Sequence, residues 1–308
     1  MTMKLRWRLS ACLMLCGLLL WFLADAAGVR ASMEEALSLC ARSVVPSLFP
    51  FLTASSLLLS LGFGELAAPY LAGVMEPLFR VPGAGSAALL LGLVGGYPIG
   101  ARTAADLYRQ GSVSRSEAER LLAFANTSNP VFLISVLGAG VFSSVRTGLW
   151  LWLIHILSAL LTGLLFRRSG HDTVSQPLSR KTASRSVRFT TAFVEAVRSA
   201  LSGILSVCAF VTFFYVLAHP LARLGGAAGP LLVGSLELFS LTPLLTADRF
   251  GFILAAGMSG WGGLSVLCQT AAVLDGSGLG LRNCLLGKLS HGVLSVLLAL
   301  LLSHYVLG

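Results

Sequence analysis

Residues 81–101 read VPGAGSAALLLGLVGGYPIGA, and they contain no charged side chain. The segment is long enough to cross roughly 30 Å of hydrocarbon as a helix, which takes ~20 residues. Its second half, residues 92–100, concentrates glycine and proline, which cost a helix ~1 and ~3 kcal/mol per residue. Non-helical backbone at membrane depth is tolerated only where protein or a water-filled cavity covers it. The segment is therefore predicted to enter the membrane and turn back inside the protein.

The composition of the whole chain indicates an α-helical membrane protein. Of 308 residues, 56% are hydrophobic and 11% are charged, and the mean hydropathy is +0.84. A soluble domain carries about a quarter of its residues as charges. The stretches that lack Asp, Glu, Lys and Arg and could span the bilayer are 43–64, 81–101, 121–145, 147–166, 199–222, 250–274 and 289–308. The predicted fold class is an all-α polytopic membrane protein whose partner is the lipid bilayer.

The net charge of +9 does not indicate a nucleic-acid-binding protein. Such a protein carries its basic residues on a folded surface, among polar and aromatic ones. Here the basic residues lie between apolar spans, so no nucleic-acid partner is expected. The cysteines form no Cys-x-x-Cys and have no neighbouring His pair, so no metal or other cofactor is expected.

Arginine and lysine predict the orientation, because cytoplasmic loops retain them and short exported loops lose them. Residues 1–28 are expected to form an N-terminal transmembrane helix, although Ala24-Asp25-Ala26 also resembles a signal-peptidase site. The most basic loop lies in residues 167–190, and both it and the N-terminus are predicted to be cytoplasmic in the cell membrane. An even number of crossings must then separate them, which requires the re-entrant segment 81–101. The next helix has a start signal, the capping box Ser114-Arg115-Ser116-Glu117.

Residues 191–308 are predicted to repeat the plan of residues 29–166 at an offset of about 160. Gly96-Tyr97-Pro98-Ile99-Gly100 is echoed by Gly260-Trp261-Gly262-Gly263-Leu264, and Asn126 falls opposite His291. An inverted repeat with a broken or re-entrant helical hairpin in each half is typical of secondary transporters.

The inverted repeat also predicts on which side of the membrane the loops lie. The second hairpin would enter from outside, because the helix before it runs outward from the basic linker. Ser175 and Gly276 are then expected on opposite faces of the membrane.

Five motifs follow one another in an order that is specific as a set. They are Glu34-Glu35-Ala36, VPSLFPF at residues 45–51, GYPIGAR at residues 96–102, EAERLL at residues 117–122 and NTSNPVF at residues 126–132. Together they resemble the sporulation integral membrane protein YlbJ family. Its members carry the nucleoside-recognition or Gate domain, which is related to parts of concentrative nucleoside transporters. The resemblance implies a nucleoside-transporter-like fold in the cell membrane of endospore-forming bacteria and a part in assembling the spore cortex.

Polar groups at the two breaks are predicted to form a midplane pocket for a small polar solute and a coupling ion. The candidate residues are Gly96, Tyr97, Pro98, Gly100, Asn126, Ser128 and Asn129 from the first half, with Trp261, Gln269 and His291 from the second. Tyr97 and Trp261 could stack on a planar solute, or could pack or anchor the chain at the interface. Asn126, Ser128 and Asn129 could instead cap the helix that begins near Pro130.

Other interpretations stay open from the sequence. The chain could be a morphogenetic scaffold that binds sporulation partners or a second copy of itself. A more remote hypothesis is an intramembrane serine hydrolase, with Ser259 in Gly257-Met258-Ser259-Gly260 and His291 as its base. Glu237, isolated in an uncharged stretch, is either functional or at the membrane interface. His155, on an apolar helix, is expected to hydrogen-bond to a neighbouring helix.

Overall fold

The computed structural model describes residues 3–169 and 188–307. All regular secondary structure in these two ranges is helical. Six helical stretches in them are long and apolar enough to cross a membrane. The predicted all-α polytopic class is therefore confirmed, whereas most of the basic linker 167–190 lies outside the described residues.

The helices of the first half are α1 (Met3–Ala24), α2 (Ala26–Leu39), α3 (Val45–Ser60), α4 (Phe63–Phe79), α5 (Ser86–Gly95), α6 (Ile99–Arg109), α7 (Arg115–Phe124) and α8 (Val145–Phe166). Those of the second half are α9 (Phe189–Ala218), α10 (Ala228–Leu236), α11 (Leu238–Leu241), α12 (Arg249–Trp261), α13 (Gly263–Leu274) and α14 (Arg282–Leu307). Two π-helical segments, Cys40–Val44 and Val131–Val141, precede α3 and α8. Short 3-10 turns are Gly83–Gly85, His219–Arg223 and Thr242–Leu244.

Hydrogen bonds define one end of the molecule, called the linker end, around Ser169, where the first described range stops. Asn283 at the start of α14 donates to Ser169 Oγ at 3.5 Å. Arg120 donates to the Ser169 carbonyl at 3.3 Å and to the Arg80 carbonyl at 2.9 Å. Arg80 and Arg120 therefore lie at the end where the basic linker begins, as the charge pattern predicts.

The opposite end of the molecule, called the far end, is held together by the other termini of the same helices. Arg249, which begins α12, donates to Ser303 Oγ near the end of α14 at 3.0 Å. Phe142, just before α8, packs edge-on against Phe252 with ring centroids 6.1 Å apart. Asp248 caps α12 by accepting the Gly251 N–H, and this bond lowers the pKa of its carboxyl.

The segment 81–101 turns back within the protein. The chain bends by 93° between α4 and residues 83–95, α5 runs inward, and α6 returns toward the linker end. A Cβ on Gly92 would lie 3.1 Å from the Gly100 Cα, so the two helices approach closely beside the turn at Gly96, whose φ is +81°. Arg109 at the end of α6 donates to the Val273 carbonyl at 3.3 Å. We call residues 86–109 hairpin 1, and it enters from the linker end.

A second re-entrant hairpin enters from the far end, but it lies earlier in the chain than the sequence suggested. The helix α9 runs from the linker end, where Arg102 donates to the Ser199 carbonyl at 3.1 Å, to the far end, where Tyr215 donates to Glu35 at 3.2 Å. The chain then runs inward along α10, reverses at Glu237 and returns through α11. We call residues 228–244 hairpin 2.

The break at Gly262 lies inside a crossing helix and does not turn the chain back. Residues 249–274 form one span from the far end to the linker end, with Gly262 at φ +83° between α12 and α13. In the first half, α7, the non-helical residues around Asn126 and the π-helical segment Val131–Val141 make the corresponding crossing in the opposite direction. Each half thus has a span, a hairpin, a broken span and a final span.

The expected register of the repeat is therefore corrected. The tips of the hairpins pair Tyr97 with Glu237, and the final spans pair His155 with His291, at offsets of about 140 rather than about 160. Asn126 is not the counterpart of His291. The glycine-rich residues 96–100 and 260–264 resemble each other, but they interrupt helices in different ways. Glycine is found both at the tip of a hairpin and at a kink in a crossing span, so its presence does not distinguish the two.

The expected position of Gly276 is also wrong. Gly280 in the same loop donates to Glu119 of α7 at 3.1 Å, beside the contact of α14 with Ser169. The loop between α13 and α14 therefore lies at the linker end, because the preceding span crosses the protein completely. Ser175, its intended counterpart, lies outside the described residues.

This arrangement predicts the labelling of single cysteines in a chain whose native cysteines are replaced. Asp275→Cys is exposed at the linker end and Gly225→Cys is exposed at the far end. A membrane-impermeant maleimide should therefore label the two from opposite sides of the membrane, with Asp275→Cys on the same side as Arg115→Cys. Labelling of all three from one side would contradict the two-ended arrangement.

Candidate functional site

A pocket, called the central pocket, lies where the tips of the two hairpins meet. Polar side chains of both halves line it: Tyr97, Ser128, Asn129, Glu237 and Gln269. Phe132 and Phe239 contribute aromatic faces. The cavity volume is about 20 Å³, enough for about one water molecule. The pocket is therefore closed around its polar groups in this conformation.

Hairpin 1 brings Tyr97 into the pocket and holds it there. The Tyr97 hydroxyl donates to the Ser259 carbonyl in the last turn of α12 at 2.8 Å. Gly96 supplies the positive φ of the turn, and a side chain on Gly100 would collide with the Ala125 carbonyl. Of the four candidates in this hairpin, Tyr97 faces the pocket, whereas Gly96, Pro98 and Gly100 shape the turn.

The break in the first crossing supplies both a helix cap and part of the pocket lining. Asn129 Oδ1 accepts the Phe132 N–H at 2.7 Å, which caps the following helical turn, and Asn129 also lines the pocket. The Ser128 N–H donates to His155 Nε2 at 2.8 Å. Asn126 points elsewhere and donates to Thr270 Oγ1 of α13 at 2.9 Å. The capping and pocket roles therefore coexist at Asn129.

Of the candidates in the second half, only Gln269 lines the pocket. The Trp261 indole N–H donates to the Ser235 carbonyl at 3.1 Å, so Trp261 is not the second face of a clamp with Tyr97. The His291 ring lies 4.3 Å from the His155 ring, and its Nε2 contacts the His155 carbonyl at 3.0 Å. The Ser259 hydroxyl has no hydrogen-bond partner among the described residues, so the Ser259–His291 pair that a serine hydrolase needs is not formed.

Two buried ionisable residues lie at or near the site: Glu237 lines the pocket, and Lys288 contacts the Tyr97 ring. Glu237, 2% exposed, lines the pocket and accepts both the N–H and the hydroxyl of Ser240, at 2.6 and 2.9 Å. The sequence singled out Glu237 because it is the one charged residue in an uncharged stretch. The structure places its side chain inside the protein instead of at the membrane interface. Lys288, also 2% exposed, was missed. The sequence feature that could have revealed Lys288 is an isolated positive charge several residues inside the last apolar helix.

Larger cavities flank the central pocket on both sides. At the linker end, a cavity of about 300 Å³, called the vestibule, is lined by Pro98, Arg102, Ser206 and Gln269 among others. At the far end, Phe239 borders a cavity of about 500 Å³. Phe239 and Phe132 meet edge-on with ring centroids 4.9 Å apart. This aromatic pair separates the pocket from the far end, and Gln269 separates it from the vestibule.

The cap at Asn129 gives a stability prediction. Asn129→Ala should lower the free energy of unfolding by about 1 kcal/mol, because the Phe132 N–H loses its acceptor. Asn129→Ser retains an oxygen at the same place and should recover most of that loss. Thermal unfolding of the purified variants measures both, and equal melting temperatures for Ala and Ser would contradict the cap.

Two comparisons with known proteins give matches to this chain. Residues 41–148, which contain hairpin 1 and the first break, match the model of the Gate family, described as nucleoside recognition. The chain is 29% identical to sporulation integral membrane protein YlbJ of Bacillus subtilis (strain 168), over 89% of this chain and 78% of that protein. No solved structure matches the chain. The chain is therefore similar over most of its length to a sporulation integral membrane protein, and residues 41–148 match a nucleoside-recognition Gate domain.

Proposed function

We propose that this protein is a carrier that moves a small polar solute across the cell membrane during endospore formation, with the central pocket as its binding site. The observation that carries the proposal is the meeting of two hairpin tips, from opposite ends, around buried polar side chains of both halves. Inverted repeats place solute sites at such midplane breaks. A buried carboxylate inside a membrane protein is expensive and is functional by default.

The chemistry of the pocket suits a neutral solute with several hydroxyl or amino groups. Glu237 accepts hydrogen bonds, whereas the amides of Asn129 and Gln269 both donate and accept. Phe132 and Phe239 offer faces for a flat ring. A nucleoside combines these features, and the description of the Gate family as nucleoside recognition supports testing nucleosides first.

Binding must be accompanied by movement, because a cavity of about 20 Å³ cannot hold such a solute. Hairpin 1 lies with Gln269 between the pocket and the vestibule, since Tyr97 lines the pocket and Pro98 lines the vestibule. Displacing hairpin 1 would open the site to the linker end, and displacing Phe239 with hairpin 2 would open it to the far end. Alternating between these movements is the carrier cycle we propose.

The direct test is uptake of radiolabelled uridine by proteoliposomes that contain the purified protein. Gln269→Ala removes one hydrogen-bonding group and should reduce uptake up to about tenfold. Leu157→Ala, on the outer face of α8, is the control and should leave uptake unchanged. Related solutes, such as amino sugars, are tested in the same way if uridine is not taken up.

Sporulation provides the complementary test in a host that lacks its own copy of the gene. Variants of Tyr97, Asn129 and Gln269 should impair cortex formation while their membrane levels stay normal. Normal cortex formation by all three at normal levels would overturn the carrier proposal and favour a scaffold that acts through partner proteins.

A further inference from the structure

Among the described residues, one lysine is buried in the core of the protein. Lys288 lies on α14 and is 2% exposed, and its Nζ has no hydrogen-bond acceptor among the described residues. None of the ion pairs in the described part of the chain includes it. Placing an ammonium group in a protein interior is strongly unfavourable, because the group loses its hydration. A packing role does not account for that cost, because an apolar side chain of the same length would avoid it.

The ammonium group of Lys288 lies over an aromatic ring of hairpin 1. Its Nζ is 4.0 Å from the centroid of the Tyr97 ring. The face of such a ring attracts a cation, and the attraction is stronger when the cation is removed from water. Lys288 thus touches the hairpin whose displacement would open the central pocket.

The same ammonium group lies at the end of a broken helix. A Cβ on Gly262, the residue that ends α12, would be 3.5 Å from Lys288 Nζ. The carboxyl end of a helix carries a partial negative charge, because its last carbonyls have no partners within the helix. In secondary transporters, such half-helix ends and unwound carbonyls hold the coupling Na⁺ or proton.

We propose that the side-chain ammonium of Lys288 is the coupling cation of this carrier, in the position where a sodium-coupled carrier would hold a metal ion. The inference rests on the proposed function and adds the ion to it. The ammonium loses its proton to water when the site is open on one side, and the resulting neutral amine takes a proton from water on the other. Net transport is thereby coupled to protons, and no sodium ion is required.

Most of the other titratable groups around Lys288 make a hydrogen bond, although His155 Nδ1 has no partner among the described residues. His155 on α8 accepts the Ser128 N–H through Nε2, and His291 on α14 contacts the His155 carbonyl through its own Nε2. The Tyr97 hydroxyl donates to the Ser259 carbonyl. Cys284 precedes Lys288 by one turn of α14 and is fully buried. Across the pocket, Glu237 of hairpin 2 is held by Ser240. Lys288 is the charged group among them whose polar atom has no hydrogen bond.

Loss of the proton should loosen hairpin 1. A neutral amine has no cation–π attraction to Tyr97 and no charge for the end of α12 to stabilise. Discharge therefore favours a conformation in which Tyr97 moves away and the vestibule opens. This shift can be measured without knowing the solute.

The test uses a cysteine-replaced chain with Ser206→Cys, which lines the vestibule. Its rate of alkylation by a neutral maleimide is divided by that of Gly225→Cys, an exposed residue at the far end, to remove the effect of pH on the thiol itself. Between about pH 6 and pH 9 the relative rate should change at least about threefold with Lys288 present, as expected for a shift in population. Lys288→Met, of similar length and uncharged, should show no change. Lys288→Arg stays charged throughout this range, so its relative rate should also not change with pH. This variant provides the test if Lys288→Met does not fold.

Three results would overturn the inference. The first is a flat profile with Lys288 present, and the second is an unchanged pH dependence in both variants, which would assign the titration to a histidine. The third is a melting temperature that rises when NaCl replaces choline chloride, because that would reveal a sodium site. None of these measurements depends on solute uptake. Uptake that follows a sodium gradient and ignores a pH gradient would also overturn the inference, while leaving the carrier function intact.

Discussion

Gly100→Ala should prevent most of the protein from folding. A Cβ at this position would lie 1.9 Å from the carbonyl oxygen of Ala125 and 2.6 Å from its carbon. Gly92 contacts the same oxygen from the other helix of hairpin 1, with a Cβ position 2.0 Å away. The Ala125 carbonyl therefore packs directly against both Gly92 and Gly100. Neither the hairpin backbone nor the backbone at Ala125 can move away without opening the core. The loss should exceed about 3 kcal/mol, at or beyond the upper end for overpacked cores.

The measurement is the yield of monodisperse protein after membrane extraction, together with its melting temperature. Gly73→Ala is the matched control, because nothing lies within 4 Å of its Cβ position on α4. Alanine in an open helical position should be neutral or stabilise the protein by about 0.5–1 kcal/mol. A Gly100→Ala protein with normal yield and melting temperature would show that hairpin 1 does not pack against the first break in this way.

Glu237→Gln should have the largest effect on function among the pocket variants, with little effect on folding. The glutamine side chain retains an oxygen for the Ser240 N–H and hydroxyl, so the cap of α11 should persist. The substitution removes the ability of the side chain to carry a negative charge and turns one of its two acceptor oxygens into an amide donor. Hydrogen bonds to charged groups contribute about 1.5–3 kcal/mol, which corresponds to a decrease in solute affinity of roughly 10- to 100-fold.

Two variants separate function from structure at this position. Glu237→Ala removes the cap as well, so it should lose about 1 kcal/mol of stability in addition to function. Glu195→Gln makes the same chemical change at an exposed residue of α9 and should change neither uptake nor melting temperature. Full activity of Glu237→Gln would mean that the carboxylate serves only to cap α11.

Features that depend on nearby residues were predictable from the sequence. The absence of charge over long stretches identified the crossing helices, because hydrocarbon excludes charged side chains. The spacing of Ser114 and Glu117 predicted the capping box, and the structure contains both of its hydrogen bonds, at 3.3 and 2.6 Å. Glycine and proline at residues 92–100 predicted the turn of hairpin 1, because local backbone energetics oppose a helix there. The sequence also predicted that Tyr97, Asn129 and Gln269 line the pocket, because they lie near such breaks.

Only the tertiary structure decided which breaks meet and from which end each hairpin enters. The turn at Glu237 has little local signal, since its reversal is fixed by packing against α9 and by the contacts of Phe239 with Phe132. The pairing of His155 with His291 and the position of Lys288 beneath Tyr97 join residues far apart in the chain. A sequence determines where a helix can break from the preferences of neighbouring residues. Which broken ends lie together depends on the burial of surfaces that are distant in the chain, and that is decided by the packing of the whole fold.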